Sequence, residues 1–139
     1  MTLITAFATD DGVNFIDRHF GDARYYDIYK IDADSAEFLK RVQNTSKEED
    51  EDIHADPEKA RSIAGILKKE NVNVAVSRIF GPNIKRVRRK FVCILMEDIL
   101  ITEALRAVRK NVNKIEIEWL KGEDRSHIRM KKEADDEKI

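Results

Sequence analysis

A chain of 139 residues with 42% apolar and 38% charged side chains has the size and composition of one globular domain. A net charge of −1 gives no bulk attraction for nucleic acid or a membrane surface. The single Cys93 excludes an internal disulfide and fits a reducing cytoplasm, and no apolar run approaches the roughly 20 residues that span a bilayer. The start, Thr2-Leu3-Ile4, has no basic leader, so a cytoplasmic protein is expected. High Lys, Arg and Glu content is compatible with a thermophilic source.

Residues 2–8 read as a buried strand that stops at the turn signal Asp10-Asp11-Gly12. Tyr25 to Ile31 is aromatic and β-branched, which predicts a second strand. Ala36 to Val42 reads as a third strand closing a hairpin, with a short helix as the alternative. The acidic run 47–52 predicts a self-repelling loop that ends at Asp56-Pro57, a good helix start. Ala60, Ile63, Ala64 and Leu67 then mark one helical face over residues 57–70.

Val72 to Ile79 predicts the fourth strand, followed by Gly81-Pro82-Asn83 and a short helix through Ile84 and Val87. The continuous apolar run Phe91 to Met96 suits a strand covered on both faces. Ile101, Ala104, Leu105, Val108 and Val112 have helical spacing. Residues 114–121 fit helix or strand, and a helix continuing to about Gly122 is the expectation. Residues 123–139 show no apolar face and read as a solvated, frayed tail after a single domain over 1–122. The order predicts an α/β fold with a mixed five-stranded sheet, an early antiparallel hairpin and later parallel strands, and helices on its faces.

No Walker loop, Gly-x-Gly-x-x-Gly, Cys-x-x-Cys or Gly-x-Ser-x-Gly occurs, so a binding protein is expected rather than an enzyme. His19 is the first candidate site residue, because imidazole is a common transition-metal ligand. It lies between two strands beside Gly21, where backbone can approach a ligand; bracing of the loop by hydrogen bonds is the other reading. The basic run Lys85, Arg86, Arg88, Arg89, Lys90 follows the Gly81 turn and Asn83, at a helix start that offers backbone N–H groups to an anion. A solvated face is the alternative, and no aromatic interleaves the run to stack on bases. Cys93 reads as a small buried hydrophobe, and His54 and His127 as bystanders.

Ala8-Thr9-Asp10-Asp11-Gly12, then His19-Phe20-Gly21 before an aromatic strand, together with Gly81-Pro82-Asn83, resembles the dinitrogenase iron–molybdenum cofactor biosynthesis family. The resemblance spans residues 2–121. It implies a ribonuclease H-like fold and a carrier or chaperone for the iron–molybdenum cofactor or an iron–sulfur precursor cluster, delivering to a cofactor-receiving apoprotein, in nitrogen fixation or outside it. It gives His19 a cluster-ligand role, with Gly21, Gly81, Asn83 and Arg86 around the cargo. The acidic run stands where many members have a Gly- and His-rich stretch, and Ser77-Arg78-Ile79-Phe80 replaces a Gly-rich approach. By fold analogy alone, Asp10 and Asp11 could hold Mg²⁺ in a nuclease-like hydrolase, although turn bonding explains them better. A protein- or nucleic-acid-interaction module without cofactor is the remaining alternative.

Overall fold

The computed structural model describes residues 1–45 and 57–131, with the side chains of 57–62 left out. The acidic run and His54 lie outside the described residues. Strands β1 (Leu3–Thr9), β2 (Tyr25–Ile31) and β3 (Ala36–Gln43) precede helix α1 (Pro57–Lys69). Strand β4 (Val74–Ser77), the one-turn helix α2 (Ile84–Val87) and strand β5 (Val92–Met96) follow. Helices α3 (Ile101–Lys110) and α4 (Val112–Trp119) and strand β6 (Ile128–Met130) complete the described elements.

The strands form one mixed sheet in the order β3-β2-β1-β4-β5-β6. β2 is antiparallel to β1 and β3, as the hairpin reading requires. β4 runs parallel to β1, β5 to β4 and β6 to β5. The parallel strands therefore deliver the loops after β1, β4, β5 and β6 to one end of the sheet. In open α/β sheets the carboxyl ends of the strands are where ligands bind.

Alternation along the strands divides the core into two layers. Leu3, Phe7, Val74, Val76, Val92 and Ile94 face Ile101, Ala104 and Val108 of α3 and Val112 and Ile115 of α4. Ala6, Ala8, Ala75 and Cys93 face Ile63, Ala64 and Leu67 of α1. This explains the unbroken apolar sequence of β5, which is buried from both sides. Each fully buried large side chain contributes about 1.5–3 kcal/mol.

Two expectations are corrected. Among the described residues the sheet has six strands, not five, because the described part of the segment read as a frayed tail supplies β6 after a single 3₁₀ turn over Gly122–Asp124; residues 132–139 lie outside the described residues. Ile128 and Met130 close the α3/α4 layer, and Arg125 is only 7% exposed. Residues 114–119 are helical, followed by a turn at 120–121, but not as a continuation of α3. Asn111 leaves helical geometry (φ −117°, ψ 20°) and its side-chain amide donates to Ala107 O at 2.8 Å, which breaks the helix in two.

Candidate functional site

The loops after β1 and β4 meet at His19. An isolated parallel bridge joins His19 to Ile79, and the Phe20 N–H donates to Ile79 O at 2.8 Å. Two residues further on, Gly81 adopts φ +77°, a conformation L side chains rarely accept. A Cβ at Gly81 would lie 2.6 Å from His19 Nδ1 and 2.8 Å from Cγ and Cε1. The half-buried imidazole rests where only a glycine backbone leaves room. The two sequence motifs singled out separately are thus parts of one contact.

The loop carrying His19 is braced from several sides. Phe20 stacks on Phe80 with ring centroids 5.0 Å apart and an interplanar angle of 13°. The buried Tyr26 hydroxyl donates to Phe20 O at 2.8 Å. The Asn44 side-chain amide donates to Gly21 O at 3.0 Å and Ala23 O at 2.8 Å. Arg18 pairs with Asp10 at 2.9 Å and donates to Asp22 O, while the Arg24 N–H donates to Asp10 Oδ1. Such bracing lowers the entropy cost of presenting a ligand-binding side chain.

Asp10 and Asp11 spend their oxygens on this loop. Asp11 accepts from the Asn14 and Val13 N–H groups at 2.8 Å, and those bonds hold its carboxyl down at about 2. For Asp10 burial pushes upward, but the Arg24 N–H and the Arg18 guanidinium outweigh it and lower the carboxyl below its usual range. Asp11 thus makes local turn bonds, whereas Asp10 ties the turn to Arg18 and Arg24 of the following loop. Among the described residues no three His, Cys, Asp or Glu side chains gather as metal ligands.

Asn83 sits beside Gly81 at the start of α2, half-buried. Its carbonyl accepts the Arg86 N–H at 2.9 Å, and Gly81 O accepts the Ile84 N–H at 3.2 Å. α2 is only one turn long, and these two N–H groups are spent inside it. Arg86 is exposed on α2, and Lys85, Arg89 and Lys90 are also exposed. Cys93 is fully buried on β5, and burial pushes its thiol far up, so it offers no thiolate. Among the described residues no set of side chains could hold a cluster by itself.

Sequence reasoning missed an apolar rim at the same end of the sheet. Val13, Ile79, Ile99 and Leu100 are each exposed. Backbone bonds from Phe15 N to Ile99 O and from Ile101 N to Val13 O fix two of these loops against each other. Ile99-Leu100 directly before a helix start was the available signal.

The family model for the dinitrogenase iron–molybdenum cofactor matches residues 1–111. The chain belongs to this dinitrogenase iron–molybdenum cofactor family. The matched span contains His19, Gly81 and Asn83, and ends before α4 and β6. The fold is similar to a crystal structure from Methanocaldococcus jannaschii, provisionally described as a dinitrogenase. That similarity has a TM-score of 0.56 at 20% identity and covers 80% of this chain and 91% of the other. No curated protein sequence matches significantly. Family membership associates the chain with the dinitrogenase cofactor. Among the described residues no helix is long and apolar enough to cross a membrane.

Proposed function

We propose that this family member is a cytoplasmic, non-enzymatic carrier of an anionic metallocluster, either the iron–molybdenum cofactor or an iron–sulfur precursor. The observation that carries the reading is the His19–Gly81 contact, in which two distant motifs of the matched span make one braced site. Imidazole is a competent ligand for iron. A single protein ligand suits cargo that must be released to a receiving apoprotein, in nitrogen fixation or elsewhere.

Anaerobic titration with iron–sulfur species and with iron–molybdenum cofactor, followed by absorption and EPR, tests this. The wild type binds, and His19→Ala weakens binding by about tenfold or more, the scale of a lost ligand or its support. Equal binding by the variant removes His19 from the site. No binding by the wild type overturns the carrier reading. It would favour a protein-interaction module on the same scaffold, a reading supported by the exposed Val13, Ile79, Ile99 and Leu100.

A further inference from the structure

The carboxyl ends of β4, β5 and β6 frame a half-open cleft of about 90 Å³. We propose that this cleft is a second site, separate from His19, in which Arg78, Arg129 and Lys131 bind a small tetrahedral oxyanion of the phosphate type. Arg78 directly follows β4, Lys131 directly follows β6, and Arg129 lies within β6. The Glu97 N–H donates to Met130 O at 3.0 Å, which fixes the strand ends that frame the cleft.

Three features point to an anion. The lining carries three cations against one carboxylate, Glu97. Leu95 and Met96 add apolar surface to the lining, which strengthens any charge-assisted bond made there. Arg78 Nε is buried and has no hydrogen-bond partner. A buried N–H without an acceptor is costly, and an oxyanion in the cleft would supply the acceptor. The planar guanidinium is suited to paired oxygens of such an ion. One water needs about 10–15 Å³ of such space, so the cleft has room for a phosphate-sized group.

Two of the three cations lie beyond residues 1–111. The site therefore joins the matched span to β6 and does not depend on the carrier reading. The test is titration of inorganic phosphate into ¹⁵N-labelled protein at constant ionic strength. Arginine Nε–H signals and the amides of residues 95–97 and 129–131 are followed.

A saturable shift is expected, including the Arg78 Nε–H. Arg78→Gln and Arg129→Gln should each weaken it about tenfold, equivalent to about 1.4 kcal/mol. Arg129 is exposed, so its variant keeps the test decisive should Arg78→Gln fail to fold. Shifts reproduced by chloride, shifts unchanged in Arg129→Gln, or equal affinity for acetate would each overturn the proposal.

Discussion

At Gly81 two constraints act on one atom position: a positive φ and an imidazole against the missing Cβ. Gly81→Ala should therefore cost about 1–3 kcal/mol, read from the urea midpoint. In a His19→Ala background the steric part is relieved and the backbone part stays. A double-mutant cycle should then give a coupling of at least 0.5 kcal/mol, roughly the lower bound for residues in contact. Additive effects would mean that the ring contact does not explain the glycine. Asp11 gives a second residue-scale prediction. Its folded carboxyl titrates at about 2 against an ordinary 3.8, so its contribution is fully present above the unfolded value. That contribution is lost as pH falls from about 4 toward 2. Its size is small because the group is almost wholly exposed to solvent screening. Asp11→Asn should flatten this part of the midpoint-versus-pH curve while leaving the midpoint near pH 7 little changed. The residue types at His19 and Gly81 were legible in the sequence. Their contact was not, because it exists only once β4 lies parallel to β1.

Among the elements, the carboxyl-terminal segment departs most from its sequence appearance. Ile128 and Met130 alternate over only three residues amid charges, too short a pattern to outweigh the surrounding composition. The decisive residue is Arg125, whose charge suggests solvent and whose structure does the opposite. Its guanidinium lies 4.2 Å over the Trp119 ring and donates to Trp119 O at 2.8 Å and Arg89 O at 2.9 Å. It ties the end of α4 and the turn between α2 and β5 to the segment that leads into β6. Composition counts Arg125 as polar surface, while its stem and planar head serve as packing. Hydrogen bonds from a charged donor are worth about 1.5–3 kcal/mol. Arg125→Ala should lower stability by about 2 kcal/mol or more in urea unfolding. A change within about 0.5 kcal/mol, the range of ordinary surface substitutions, would mark the segment as loosely attached.

The whole molecule follows from patterns that the sequence displays openly: a hairpin, then strands alternating with amphipathic helices. Right-handed crossovers place β4 beside β1 and β5 beyond it. The sixth strand adds to the open edge without altering that order. Cys93 reports on the integrity of the sheet, because it lies in β5, paired with Ala75 of β4, and is 0% exposed. Burial raises its thiol, so it has neither access nor thiolate character while the sheet is intact. Its modification by a thiol reagent should therefore require opening of the central strands. Labelling in buffer should be slower than in denaturant by a factor near the folding equilibrium constant, on the order of 10³ or more. The rate should fall with every substitution that stabilises the sheet and rise with Gly81→Ala and Arg125→Ala in proportion to their measured costs. Labelling that ignores those two variants would mean that β5 is exposed by a local opening, independent of the loop at His19 and of the β6 edge.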